Sequence, residues 1–227
     1  MRKLKVLTVA LGAMALTGSA LAIPTLSISD GLTSVSLTDA SGIVQYVNPS
    51  LDSAWSIVIS TAETKPALGG AANPMFDLNV QATSVGGSLP ANNLVITFSD
   101  NGFSPASGNF QVVLDGHVVS GTGQPVTYAT YYDAGNVTGA TTTLLTSLGP
   151  LSGPTYNGTA TGGPVNGSPY SLTQVLTIGI NAIGTPGGSY SLDASLNGVS
   201  SVPDGGTTGM LLGAALSGLA FLRRKMA

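Results

Sequence analysis

Apolar and polar residues alternate with a period of two through most of the middle of the chain. Thr25-Leu26-Ser27-Ile28-Ser29-Asp30 is the first such run, and Thr33–Thr38, Asn93–Ser99 and Tyr190–Leu196 follow the same pattern. Successive side chains of an extended strand point to opposite faces, so each run predicts a strand with one buried face. In Asn93–Ser99 the inward set is Leu94, Ile96 and Phe98. Trp55–Ser60, Phe76–Ala82, Phe110–Leu114, Val126–Tyr132 and Tyr170–Ile180 also read as strands, rich in Val, Ile, Thr, Tyr and Phe. Turn signals lie between the runs: Asp30-Gly31, Ser41-Gly42, Asn48-Pro49, Gly69-Gly70, Asp100-Asn101-Gly102, Asp115-Gly116 and Gly187-Gly188. Gly149–Pro169 reads as a long loop holding one short strand. No long stretch between Ile23 and Ser201 keeps a 3.6-residue period. The pattern predicts an all-β domain over 23–201, an antiparallel β-sandwich of jelly-roll or Ig-like form. About 180 residues can bury an adequate core without disulfides. Trp55, the only Trp, is expected as a core anchor.

The two ends break this pattern. Residues 1–22 hold a basic start (Arg2, Lys3, Lys5), an apolar stretch Val6–Leu16, and Ala20-Leu21-Ala22. This is the order of a secretory signal, with signal peptidase cutting after Ala22. At the other end Thr207–Leu222 is apolar and uncharged. As a helix it would be about 24 Å long. That is short of a bilayer core of ~30 Å, a gap closed by local thinning and by snorkelling of Arg223 and Arg224. Gly209, Gly213 and Ser217 form a small-residue stripe on it. Arg223, Arg224 and Lys225 then form a basic stop, held on the cytoplasmic side. The sandwich is therefore expected between an N-terminal signal helix and a C-terminal transmembrane helix, with its body outside the cell.

Charge sharpens this division. Charged residues make up 7 % of the 227-residue chain, against a usual ~25 %. Six of the seven basic residues belong to the two ends, and the seventh is Lys65. Residues 23–204 hold that one Lys against ten carboxylates, a net charge of −9. Nucleic acid is excluded as a partner, since phosphate neutralisation needs Lys and Arg.

Candidate chemistry in the body is sparse. The chain has no Cys and one His, His117, so thiol nucleophiles, disulfides and clustered-His metal sites are excluded. His117 follows Asp115-Gly116 and reads as a turn or edge residue at the start of a strand. Nothing local supports a Ser/Lys dyad through Lys65. The carboxylates, nine Asp and Glu63, are scattered singly and mostly sit at turn signals. Turn aspartates can gather around Ca²⁺, the one cofactor the pattern leaves open, although no D-x-D-x-D-G string is present. Asn136-Val137-Thr138, Asn157-Gly158-Thr159 and Asn166-Gly167-Ser168 match the N-glycosylation acceptor pattern. Three functions stay in view. The first is a non-enzymatic exported protein. The second is a carbohydrate-binding module stacking sugars on Tyr128, Tyr131, Tyr132 or Trp55. The third is a secreted glycosidase using scattered Asp, against which the lack of Arg in the body counts.

The last 26 residues carry a resemblance. Val202-Pro203-Asp204-Gly205-Gly206, followed by the apolar segment 207–222 and the basic tail 223–225, resembles the PEP-CTERM protein-sorting domain of bacteria. Val202-Pro203 matches that family's Val-Pro-Glu-Pro motif, while Asp204 replaces Glu and Gly205 replaces the second Pro, as in a VPDSG-type variant. The resemblance implies recognition by an exosortase, a membrane-embedded cysteine transpeptidase-like enzyme, with cleavage near the motif. A sortase Leu-Pro-x-Thr-Gly signal does not occur. The body is similar, more loosely, to exported PEP-CTERM proteins. The matching stretches are Ile23–Gly31, Gly42–Tyr46, a following Trp55, and Asn73–Leu78. This implies association with biofilm and extracellular polysaccharide.

Overall fold

The computed structural model describes residues 22–84, 93–104, 108–180 and 187–200. Among them the strands are β1 Thr25–Ser29, β2 Ser34–Thr38, β3 Ile43–Leu51, β4 Trp55–Glu63, β5 Gly69–Gly70, β6 Asn73–Ser84, β7 Leu94–Phe103, β8 Gly108–Ser120, β9 Val126–Asp133, β10 Thr143–Leu151, β11 Thr155–Gly162, β12 Tyr170–Ile178 and β13 Ser189–Ser200. The signal segment through Leu21, the motif 202–206, the apolar segment 207–222 and the basic tail 223–225 lie outside the described residues. Among the described residues no helix is long and apolar enough to cross a membrane.

The strands form two sheets packed face to face. One has the order β10-β9-β12-β7-β1-β2. The other has the order β11-β8-β13-β6-β4-β3, with β5 paired to β6. Neighbours run antiparallel throughout. The later strands pair in a nested series, β6 with β13, β7 with β12, β8 with β11 and β9 with β10. This is the pairing of one long hairpin rolled across both sheets, while β1–β4 widen the two sheets on one side. The expected antiparallel sandwich is thus the observed fold.

The alternating positions fill the space between the sheets. Leu26, Ile28, Leu94, Ile96, Phe98, Leu78, Val80 and Leu114 are fully buried. Aromatic rings link one sheet to the other: Phe76 packs edge-on to Phe98 with centroids 5.6 Å apart, and lies 5.7 Å from Phe103. Tyr170 continues the row at 5.8 Å from Phe103 and 5.5 Å from Tyr132. Rings at such separations add to the apolar burial. Trp55 is 1 % exposed, and its indole N–H finds no acceptor among the described residues. It is the core anchor its sequence context predicts.

Three predicted turns prove to be strand interior. Asn48-Pro49 lies within β3, an edge strand whose register against β4 is irregular between Asn48 and Leu51. Proline is tolerated there because an edge strand leaves N–H groups unpaired. Asp115-Gly116 lies within β8, which runs on from the predicted Phe110–Leu114 to Ser120. Gly116 serves close approach, since a Cβ there would come within 2.6 Å of Leu192 Cδ2 and 2.7 Å of the Ser191 carbonyl oxygen. Asp100-Asn101-Gly102 lies within β7 and forms a bulge against β12, with Gly102 at φ +72°. His117 consequently sits mid-strand, between Thr155 and Ser191, and faces solvent.

The strands β3 and β10 escape the periodicity reading. Gly149–Leu151 ends β10, and the strand foreseen in the Gly149–Pro169 loop is β11, eight residues long. The small residues Gly158, Ala160 and Gly162 alternate with exposed polar ones on β11. They let β11 settle against β10 of the opposite sheet, so this flank of the sandwich is closed. A Cβ on Gly162 would overlap the Leu145 carbonyl, whereas one on Gly158 would meet only the Leu148 methyl groups at 3.3 Å. Gly162→Ala should therefore lower the unfolding free energy by about 1–3 kcal/mol, as overpacking against rigid backbone does. Gly158→Ala should cost clearly less, because a side chain can move. Urea unfolding of the two variants side by side measures the difference.

Candidate functional site

Two clusters of titratable groups form where the sequence shows only scattered residues. The first lies at one end of the sandwich. Alternation carries Asp100 inward with Leu94, Ile96 and Phe98, while its neighbour Ser99, on the outer side, is buried as well. Lys65, on the connection after β4, reaches across from the other sheet. Its Nζ lies 2.8 Å from Asp100 Oδ2, with side-chain exposures of 13 % and 0 % for Lys65 and Asp100. Nζ also donates to the Asn101 carbonyl oxygen and sits 4.3 Å above the centre of the Phe103 ring. The Thr64 hydroxyl donates to the same Oδ2 at 3.4 Å, and the Asn101 N–H donates to Oδ1 at 2.8 Å. Burial pushes the Asp100 carboxyl above its ordinary range, opposed by the hydrogen bond and charge of Lys65 and by the Asn101 and Thr64 donors. Lys65 thus pairs with a carboxylate, and no serine hydroxyl is among its partners.

Beside this pair, residues 134–142 fold over the outer face of the β10-to-β2 sheet. Asp133 caps the turn: Oδ2 accepts from Val137 N at 2.9 Å, and Oδ1 accepts from the Thr142 hydroxyl at 2.9 Å. Asn136, at φ +59°, accepts from Gly102 N through Oδ1 at 2.7 Å. Gly139 N donates to Ser99 Oγ at 2.8 Å, and Ser171 Oγ donates to the Val137 carbonyl at 2.7 Å. These bonds hold Asp133 below the usual carboxylate range, the Val137 N–H first among them and the Thr142 hydroxyl next. Asn136 of the first acceptor tripeptide is therefore a structural residue. Asn157 lies on β11, and Asn166 is exposed in the connection that follows.

The second cluster occupies the outer face of the other sheet. Register places Asp193 of β13 directly opposite Asp115 of β8, and Glu63 of β4 directly opposite Asp77 of β6. Asp77 lies diagonally next to Asp193, since Asp77 pairs Ser195 and Asn79 pairs Asp193. Partial burial first, then the charge and hydrogen bond of Asp77 and the charge of Asp115, raise Asp193 above its ordinary value. The Thr61 hydroxyl donates to Asp77 Oδ2 at 3.3 Å, and Asn157 Nδ2, oriented to donate, reaches Asp115 Oδ1 at 3.0 Å. Among the described residues no group of three or more acidic or His side chains is arranged to hold a metal ion.

The expectation of singly scattered turn carboxylates needs correction. Asp30 and Asp39 do cap turns, through Thr33 N at 2.7 Å and Ser41 N at 2.8 Å. Glu63, Asp77, Asp115 and Asp193 stand on strands, and cross-strand register gathers them. Of the proposed sugar-stacking aromatics, Trp55, Tyr128 and Tyr132 are buried, at 1 %, 0 % and 8 % exposure. Only Tyr131 is half exposed, on the face opposite Tyr132 as adjacent strand residues require. Ala22, at the predicted cleavage point, is half buried, and a Cβ on Gly102 would lie 3.5 Å from it. Ala20, Val202, Pro203, Asp204, Gly205, Gly206, Arg223, Arg224 and Lys225 lie outside the described residues.

Comparison with known proteins adds one assignment. Residues 201–226 match the VPDSG-CTERM motif. The chain therefore ends in a C-terminal sorting signal of the PEP-CTERM type, in agreement with the resemblance read from Val202–Gly206, and such a signal marks an exported, surface-directed protein. No curated protein matches the chain. Among solved structures, the chain is similar to the isomalto-dextranase of Arthrobacter globiformis T6 complexed with panose, at 11 % identity and a TM-score of 0.29. That likeness covers 78 % of this chain and 35 % of the other, so this chain spans about a third of that protein's length.

Asp133 and Asp193 predict opposite responses to pH. A carboxyl held below its unfolded value of 3.8 stabilises the fold above that pH, and the stabilisation is lost as pH falls through the lower folded value. Asp133→Asn should therefore destabilise the protein at pH 7 and flatten its loss of stability below about pH 4. A carboxyl raised above 3.8 costs stability once ionised, and the cost vanishes below the unfolded value. Asp193→Asn should accordingly raise the thermal midpoint at pH 7, with the gain disappearing below about pH 4. Thermal melts of both variants between pH 2 and 8 check the signs.

Proposed function

We propose that this chain is an exported, non-enzymatic surface or extracellular-matrix protein, tethered by its C-terminal helix, cut by an exosortase near Val202–Gly206, and associated with extracellular polysaccharide. The observation that carries the proposal is the match of residues 201–226 to the sorting motif. The partition of charge supports it: the basic residues other than Lys65 belong to the two ends, and the body keeps the carboxylates. In this reading residues 207–222 span the membrane, Arg223, Arg224 and Lys225 stay in the cytoplasm, and Pro203 with Gly205 and Gly206 keeps the cut segment out of regular structure. Signal peptidase removes 1–22, which leaves Ile23 two residues before β1. The nested pairing of β6–β13 is a jelly-roll winding. The carboxylates of the acidic patch lie on the open outer face of a sheet, where they favour hydration over the enclosed acid–base work of a glycosidase.

Expression in the native host with and without its exosortase tests the proposal. With the enzyme, mass spectrometry should find a product lacking residues 207–227. Without it, the full C-terminus should remain and fractionate with membranes. Retention of the C-terminal segment in both strains overturns the reading.

Glycan binding is a second reading, favoured by the half-exposed Tyr131 on the outer sheet face. It predicts glycan-array signals that Tyr131→Ala abolishes without change in the thermal midpoint. An array without signal at high protein concentration rejects it.

A further inference from the structure

A chain with no cysteine has no disulfide with which to staple its sheets. Its body keeps a single lysine, and that lysine is drawn inside against a fully buried carboxyl. A buried ion pair is a weak source of stability, because desolvation of the two charges offsets much of their attraction. The pair has a second use open to it. We propose that Lys65 and Asp100 condense to an intramolecular isopeptide bond, a covalent strut between the connection after β4 in one sheet and β7 in the other. This inference is independent of the sorting reading and stands on the geometry of the pair.

The atoms required are in place. The bond that forms is Nζ–Cγ, and the bond that breaks is Cγ–Oδ2. One proton passes from Nζ to Oδ2 along the existing 2.8 Å hydrogen bond, leaving a neutral amine beside a neutral acid. The Nζ lone pair then adds to Cγ. A second Nζ proton follows to Oδ2, which departs as water, and the third stays on the amide nitrogen. No oxidant, reductant or co-reactant is consumed. Each neighbouring group has a part. The Asn101 N–H, 2.8 Å from Oδ1, faces the oxygen on which negative charge develops at the tetrahedral stage, as an oxyanion donor does. The Thr64 hydroxyl, 3.4 Å from Oδ2, donates to the leaving oxygen. The Asn101 carbonyl, which already accepts from Nζ, accepts the N–H of the amide product. Among the described residues no other carboxylate hydrogen-bonds the pair, so the protons move within the pair itself.

The surroundings favour the neutral reactants. Asp100 and Thr64 are fully buried, and the Phe103 ring lies 4.3 Å from Nζ. A water-excluding, apolar site disfavours separated charges and favours loss of water. The upward push of burial on the Asp100 carboxyl acts in the same direction. The link would close a loop between residues 35 apart in sequence and would join the two sheets where the aromatic row Phe76–Phe103–Tyr170 crosses between them.

Peptide mapping of the full-length folded protein tests the proposal, because it does not depend on how the ends are processed. The protein is denatured and digested with a protease that needs no lysine, since Lys65 precedes Pro66. Tandem mass spectrometry should find a branched peptide joining the Lys65 and Asp100 segments, one water lighter than the two linear peptides together. Lys65 in that sample should resist an amine-reactive reagent after denaturation, whereas in Asp100→Ala it should be labelled and the branched peptide absent. Recovery of both segments only as linear peptides, with Lys65 fully labelled in the unsubstituted protein, overturns the proposal whether or not Asp100→Ala folds.

Discussion

Register governs this molecule. A strand that slips by one residue sends its whole apolar set to the solvent side, and here the two sheets depend on each other's inward faces for their entire core. Leu26 and Ile28 meet Phe98 and Ile96 across β1 and β7, and Leu78 and Val80 meet Ala194 and Leu192 across β6 and β13. The same register that buries these residues places their sequence neighbours on the outside. The acidic face is therefore a by-product of core formation: with Ala194 and Leu192 turned in, Asp193 has to face out, and its partner across β8 is Asp115. Like charges directly opposite on adjacent strands are unfavourable. Part of that cost is relieved by the amide of Asn157, which reaches Asp115 Oδ1.

The same logic explains why the two flanks of the sandwich differ. On one flank, small inward residues of β11 allow the edges β10 and β11 to cover each other. On the other, β2 and β3 are edges without such cover. β2 is five residues long, and β3 carries Pro49 and two irregularities of register. Short edges, proline and bulges are the usual means of discouraging further strand pairing.

The sandwich was legible in the sequence because alternation is a local signal. The strands with strict alternation and β-branched or aromatic inward residues, such as β1, β7 and β13, can be read directly. β10 cannot, since two irregularities of register break the alternation of its inward Leu145, Thr146, Leu148 and Leu151, and β11 offers one large inward residue, Tyr156, beside Gly158, Ala160 and Gly162. Gly116 and Gly102 mislead for a related reason. Glycine signals a turn and equally signals close packing or a bulge, and only the neighbouring strand decides between them. The acidic cluster is illegible in principle from one sequence. Asp77, Asp115 and Asp193 are far apart in the chain, and register alone makes them neighbours. The Lys65–Asp100 pair is half legible. A single Lys in a body of carboxylates points to some special partner, but which of ten carboxylates it takes depends on how the two sheets pack.

The pairing of Lys65 has a consequence for the whole surface. Because the described body's one Lys is neutralised inside the fold, its exterior carries carboxylates with no lysine or arginine to balance them. Such a surface cannot attract polyanions by charge, and at physiological salt its own field is screened beyond about 8 Å. Any partner, polysaccharide included, must then be met through hydrogen bonds from the Ser, Thr, Asn and Gln residues that fill the outward positions of both sheets, or as a polymer that is itself neutral or cationic. The buried lysine thus serves two ends at once: it ties the sheets together, and it leaves the carboxylates of the outer surface without a lysine to balance them.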